Sequence, residues 1–202
     1  MGTKDFNALD MFIARWRSRT ARQAVRPGDT VLDFGCGHQL LFLRSIQGVI
    51  RRGVGLDYDS LPGQPAPNLE VRNFHFKDRL DFPAASFNTV SMLAVLEHIA
   101  VDEVDPLFRE FARVLAPGGQ ILITTPTPAA KPVLEFLAFK LHVISEPEIA
   151  DHRHYYSRPD LQALAIRHGL SFTAYHRFLF GFNCFACFTR PGDPGQLPSR
   201  PA

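Results

Sequence analysis

The hydrophobic positions of this chain alternate between a helical and an extended period. Over residues 5–25, Phe6, Leu9, Phe12, Ile13 and Trp16 form one apolar stripe at 3.6-residue spacing, with Arg15, Arg17, Arg19 and Arg22 around the rest. That predicts an amphipathic helix. A short run, Val31 and Leu32, then ends in Asp33 and turns at Gly35 and Gly37. Leu40, Leu41, Leu43, Ile46 and Ile50 return to the helical period, and Arg51-Arg52-Gly53 supplies a cationic last turn and a stop. Val54 to Leu56 is a second strand, ending in Asp57. Residues 30–57 therefore predict a strand–turn–helix–strand unit of the nucleotide-binding kind.

Three prolines within residues 62–67 forbid a regular helix, so the next crossover is short or absent and that sheet edge is less covered. Strands are expected at 69–76, 88–93 and 120–125. A helix at 102–116 turns Val104, Leu107, Phe108, Phe111, Val114 and Leu115 inward, and Pro117-Gly118-Gly119 stops it. Residues 132–144 are apolar nearly all round; as a helix they would span about 20 Å, too short for a bilayer. Following the fifth strand, they suit a lid or a greasy acceptor wall. A helix at 158–168, capped by Ser157 and stopped by Gly169, leads to paired strands at 171–178 and 183–189. From Pro191 onward Pro, Gly and Ser dominate, which predicts a disordered tail.

Chemistry follows from the first unit. Bare backbone at Gly35 and Gly37 lets a ligand approach closely, and the following helix N-terminus favours an anionic group. Asp57, 20 residues after Gly37, stands where a carboxylate accepts from both ribose hydroxyls of an adenosine. The third glycine of the dinucleotide fingerprint is missing, since Gln39 and Leu40 occupy the turn.

Val31-Leu-Asp-Phe-Gly-Cys-Gly37 resembles motif I of the class I S-adenosylmethionine-dependent methyltransferases. Leu80-Asp-Phe-Pro-Ala-Ala-Ser-Phe-Asn-Thr-Val90, Ala94-Val-Leu-Glu-His-Ile99 and the Leu-Ala-Pro-Gly-Gly turn at 115–119 resemble that family's later motifs, and point to its type 11 group. The likeness covers about residues 28–125, with a weaker echo to 190. It implies an α/β Rossmann-like fold: a seven-stranded sheet in the order 3-2-1-4-5-7-6, mostly parallel with one antiparallel strand, and helices on both faces. It also implies an N-terminal covering helix over 1–26 and a methyltransferase domain over 27–190; the apolar lid at 130–146, the least family-like segment, and the tail at 191–202 are read from the residues themselves. The implied cofactor is S-adenosylmethionine, contacted by Asp33, Gly35, Cys36, Gly37, Asp57, Tyr58, Lys77, Asp78 and Leu93. Two positions depart from the pattern. The acidic residue that meets the adenine would align near Phe76 or Lys77, with Asp78 the nearest carboxylate, and Asn88 replaces an aspartate.

The implied reaction is methyl transfer to a small, partly apolar or sugar-like acceptor. A cofactor-binding partner protein without catalysis and a nicotinamide-dependent oxidoreductase are the alternatives. His98, just beyond the fourth strand, and His154, in Asp151-His-Arg-His-Tyr-Tyr-Ser157, are the candidate bases, since an imidazole accepts a proton near neutral pH. A zinc site from His98, His152 and His154 lacks ligand spacing, and no metal is assigned.

The remaining composition narrows the class. At 202 residues, 46% hydrophobic and 21% charged, the chain suits one soluble domain. Its net charge of +2 is spread along the sequence, and no Asp/Asn-Pro-Pro-Tyr run or Pro-Cys nucleophile marks a base methylase, so a nucleic-acid partner is not expected. The basic N-terminal stripe also suits peripheral membrane contact, but packing on its own domain is the favoured reading. Three cysteines without framework spacing, and no signal segment, point to the cytoplasm. Cys184 and Cys187 fall in a strand, where i and i+3 point to opposite faces, so they are not read as a metal or redox pair.

Overall fold

A computed structural model describes residues 8–140, 144 and 146–192. Eight strands form one sheet: β1 (Thr30–Phe34), β2 (Arg52–Asp57), β3 (Gly63–Ala66), β4 (Leu69–Asn73), β5 (Phe87–Leu93), β6 (Leu115–Pro126), β7 (Ser171–Phe178) and β8 (Asn183–Thr189). Their order is β3-β4-β2-β1-β5-β6-β8-β7. The core β4-β2-β1-β5-β6 is parallel, while β8 runs antiparallel between β6 and β7. Six α-helices are described: α1 (Ala8–Arg22), α2 (Leu41–Ile46), α3 (Val101–Val114), α4 (Lys131–Phe139), α5 (Glu146–Ala150) and α6 (Arg158–Arg167).

The sheet corrects the expected seven strands, with one antiparallel, to eight with two. The proline-rich crossover carries no helix; it folds back as β3, antiparallel to β4, pairing Gly63 with Val71 and Ala66 with Leu69. Pro65 has no N–H to give a ladder, and an outermost strand is where that loss is tolerated. The other seven strands keep the expected order. The third expected strand ends early, at Asn73, where the last ladder bond runs from the Phe74 N–H to the Asp57 carbonyl at 2.9 Å. The Pro117-Gly118-Gly119 turn lies inside β6 as an irregularity. Gly118, at φ 72°, donates to the Arg190 carbonyl, and the Arg190 N–H donates back to that of Gly119.

Two apolar layers cover the sheet, and strand alternation decides which residue joins which. Leu32, Val54, Val90, Cys184 and Phe188 pack with Phe108 and Phe111 of α3 and Leu161 of α6. Val31, Leu122, Phe185 and Cys187 face the other way, onto α2 and Ala21 of α1. Cys184 and Cys187 therefore lie on opposite faces. Asn88 accepts from the Thr30 N–H at 3.0 Å, so its amide ties β5 to β1.

The N-terminal helix differs from its expected facing. Leu9, Phe12 and Trp16 are exposed, and the inward face is Ala21 with the half-buried Ile13, Ala14 and Arg17. Small residues let α1 lie close, while Arg17 Nε anchors it by donating to Asn183 Oδ1 at 3.0 Å. Phe6, part of residues 141–145 and the tail from 193 lie outside the described residues. Among the described residues no helix is long and apolar enough to cross a membrane.

Candidate active site

A cavity of about 620 Å³ opens at the C-terminal ends of β1, β2 and β5, where open α/β sheets bind ligands. The β1–α2 turn forms its floor. Gly35 and Gly37 sit at φ 77° and 61°, left-handed values that favour glycine. The N–H groups of Gly35 and Cys36 both donate to the Leu56 carbonyl, at 2.8 and 3.2 Å. A Cβ on Gly35 would run into the Val95 side chain, so turn and β5 loop fit only with glycine there. Asp57 ends β2 and accepts from the Gly37 N–H at 2.9 Å and the Asp59 N–H at 3.0 Å.

Asp33 lies beneath this turn, fully buried, and accepts from Ser91 Oγ at 2.7 Å. Burial pushes its carboxyl up to about 7; the Ser91 bond opposes that rise and the Asp57 charge adds to it. The Cys36 thiol is driven far above its ordinary range, first by burial and then by Asp33 and Asp57. It stays a thiol at neutral pH and is a packing group there.

The opposite wall is polar. After β5 the chain makes one 3-10 turn, Leu96–His98, which places Glu97 and His98 at the cavity. Glu97 is buried, and its Oε2 accepts from Thr125 Oγ1 at 3.1 Å. Its backbone carbonyl accepts from the N–H groups of Arg153 and His154, at 2.7 and 3.3 Å, which ties the 151–157 loop beneath the end of β5. His98 Nδ1 meets Asp151 Oδ2 at 3.1 Å. The His152 ring packs edge-on to His98 with centroids 4.8 Å apart, and its Nδ1 meets the Tyr155 hydroxyl at 2.9 Å. Burial first, then the neighbouring His98 and Arg17, hold the His152 imidazole down at about 3, so it is neutral. Burial pushes the Tyr155 phenol up to about 12.

Of the residues singled out from sequence, Asp33, Gly35, Cys36, Gly37, Asp57, Tyr58, Leu93 and His98 border the cavity. Lys77 and Asp78 do not; they are exposed, and Phe74, His75 and Phe76 border it instead. The early end of β4 swings the chain so that its aromatics, not its charges, reach the site. His154 is also outside: it is exposed and packs on the Tyr156 ring at 4.6 Å. His152 takes the inward place. From the apolar segment and its continuation, Leu134, Ile144 and Ile149 border the cavity, whereas Phe136 and Phe139 are exposed. Sequence reasoning missed Glu97, Asp151 and Arg17, and weighed His152 only as a zinc ligand and set it aside. Glu97, Asp151 and His152 stood inside quoted motifs, and only the pairing of the two loops showed which would meet.

The methyltransferase domain family model matches residues 8–175. A Mycolicibacterium smegmatis protein named "probable S-adenosylmethionine-dependent methyltransferase" is 35% identical over 103 residues, 49% of this chain and 38% of that one. The ribosomal protein L11 methyltransferase of Xanthomonas campestris is 28% identical over 123 residues, 61% of this chain and 39% of that one. The chain thus spans under two-fifths of the length of these curated relatives. Among solved structures, an S-adenosylmethionine-dependent methyltransferase from Mesorhizobium loti superposes with a TM-score of 0.66 at 17% identity, covering 88% of this chain and 98% of that one. The [4+2]-cyclase SpnF superposes at 0.69 with 13% identity, over 95% and 86%. At these identities the structural likeness is one of fold.

Proposed function

The chain belongs to the methyltransferase domain family, and from that premise we propose that it transfers a methyl group from S-adenosylmethionine to a small, partly apolar acceptor. The observation that carries the reading is the β1–α2 turn against Asp57. A Cβ on Gly35 would strike the Val95 side chain, so glycine keeps this turn bare and close to the β5 loop, and a carboxylate ends the neighbouring strand. That arrangement fits an adenosine ribose, and the cavity volume lies within the range of small-ligand sites.

S-adenosylmethionine, when bound, supplies a methyl group already activated on a sulfonium. What remains for the chain is to bind, orient and dry the reactants. Asp57 would hold the ribose, and Gly35 and Gly37 would let the cofactor lie against backbone. Tyr58, Phe74 and Phe76 would flank the adenine, with Leu93 beside them. Across the cavity, Leu134, Ile144 and Ile149 offer an apolar wall, and Glu97, His98 and His152 a polar one. An acceptor with an apolar body and one hydroxyl or amine matches both. The His98 ring, oriented by Asp151, would face that acceptor group. The protein substrate of the L11 relatives and the cycloaddition of the SpnF relative are reasons to test the acceptor directly, since fold does not decide chemistry.

The test has two stages. Calorimetry should show one S-adenosylmethionine per chain. Transfer of a labelled methyl group to a panel of small hydroxylated and aminated acceptors should then depend on His98, with His98→Gln losing about 10²- to 10⁴-fold in the chemical step and keeping cofactor affinity within about threefold. No cofactor binding would overturn the reading; binding with transfer only to protein would replace the acceptor class.

A further inference from the structure

We propose that Glu97, His98 and His152 form a binding site for a divalent transition-metal cation at the acceptor end of the cavity. One carboxylate oxygen and two imidazole nitrogens, one atom from each residue, lie within 4.8 Å of one another. Ligands at about 2.0–2.2 Å from a shared zinc-sized ion stand roughly 3.5 Å apart, so closure needs about an ångström of side-chain rotation.

The surrounding shell is the second observation. Each of the three groups has its other polar atom held from behind. Asp151 Oδ2 is 3.1 Å from His98 Nδ1, the Tyr155 hydroxyl is 2.9 Å from His152 Nδ1, and Thr125 Oγ1 donates to Glu97 Oε2 at 3.1 Å. With those atoms engaged, Nε2 of both rings and Oε1 of the carboxylate are assigned to the ion. A carboxylate or hydroxyl behind each ligating imidazole is how protein metal sites orient their ligands.

The backbone holds the set together. Glu97 and His98 share one 3-10 turn, and the loop carrying His152 is pinned to the same turn by two N–H bonds to the Glu97 carbonyl. Glu97 is only 1% exposed, and burying a carboxylate is costly unless cations or hydrogen bonds compensate. Two imidazoles and one carboxylate suit Zn²⁺, Co²⁺, Fe²⁺ or Mn²⁺ better than Mg²⁺ or Ca²⁺, which favour oxygen ligands throughout. Three protein ligands leave a coordination position open toward the cavity, as in sites that take up a substrate oxygen. The cation's binding stands alone; its use in holding a hydroxylated acceptor rests on the methyl-transfer reading above, with His98 then acting on the acceptor through the ion and not as a free base.

The experiment titrates the chelator-stripped protein with Zn²⁺ alone and with Co²⁺ alone. Expected are one ion per chain, a Kd at or below about 10 µM by calorimetry, and Co²⁺ absorption bands of a low-coordinate nitrogen–oxygen site. His152→Ala and Glu97→Gln should weaken Zn²⁺ by at least about tenfold, and Asp151→Asn by about 10- to 100-fold. His154→Ala, two residues away and exposed, should bind Zn²⁺ as wild type does. Cofactor affinity within about threefold in the same variants reports an intact cavity. If Glu97→Gln does not fold, the half-buried His152→Ala and the wild-type titration still decide. No saturable Zn²⁺ binding below about 1 mM, or equal affinity in His152→Ala, overturns the site. Metal binding by a chain that binds no S-adenosylmethionine would leave this site standing and overturn the function proposed above.

Discussion

The backbone N–H of Gly37 donates to Asp57 Oδ2 at 2.9 Å, so the carboxylate proposed to hold the ribose also braces the glycine turn beside it. One residue would then both shape the turn and recognise its occupant. Asp57→Ala is expected to weaken S-adenosylmethionine binding by about 30- to 1000-fold, the cost of losing a charged acceptor of two hydrogen bonds. Calorimetry on the purified variant checks this. Wild-type affinity would remove the basis for placing the ribose at Asp57.

Asp33 predicts a pH dependence of stability. Its folded pKa, about 7, lies above the ordinary 3.8, so the folded state holds the proton more tightly than the unfolded chain. Its contribution is therefore fully present below about pH 3.8 and is lost as pH rises through about 7. Asp33→Asn cannot ionise and should lose less stability than wild type between pH 5 and pH 8, by about 2.7 kcal/mol, since only the two units from pH 5 to about 7 fall in that window. Denaturant midpoints at both pH values for both proteins measure the difference. Parallel pH profiles would mean that Asp33 ionises freely in the fold, despite its burial and the nearby Asp57.

Gly35 and Gly28 separate backbone strain from steric conflict. Both have positive φ, +77° and +81°, but a Cβ on Gly28 meets nothing within 4 Å, whereas one on Gly35 strikes Val95. Gly28→Ala should cost about 1–2 kcal/mol, the left-handed penalty alone. Gly35→Ala should cost more and weaken the cofactor as well, and adding Val95→Ala should recover part of the loss. Thermal unfolding and calorimetry on the three variants read out the order. Equal costs for the two glycines would mean that Val95 moves aside freely.

The apolar segment makes a positional prediction. Leu134 borders the cavity, while Phe136 and Phe139 are 53% and 43% exposed. Leu134→Gln should raise the acceptor KM at least about tenfold with cofactor affinity within about threefold. The Phe136→Ser, Phe139→Ser double variant should change stability by no more than about 0.5 kcal/mol per site and leave that KM within about threefold. Steady-state kinetics with an identified acceptor decide it. The opposite order would put the acceptor on the outer face of α4.

The strand–turn–helix–strand unit was legible because its information is local. The spacing from Gly35 and Gly37 to Asp57 is set by one helix and one strand, and those lengths follow from hydrophobic period and glycine stops. The pair at Ser171–Phe178 and Asn183–Thr189 likewise lies where its alternation predicts, with Cys184 and Cys187 on opposite faces. Facing and pairing were another matter. The proline-rich crossover became β3 because β4 offered an edge, and no residue within 62–67 encodes that partner. An all-round apolar helix has no period to show which side turns inward, so Leu134 and not Phe136 or Phe139 reached the cavity. His152 and His154 are both histidines in one loop, two positions apart. Only the two N–H bonds to the Glu97 carbonyl, made across more than fifty residues of chain, turn the first toward Glu97 and His98 and leave the second in solvent. Local period determines which elements exist; the long-range contact that anchors each loop determines which side chain it presents.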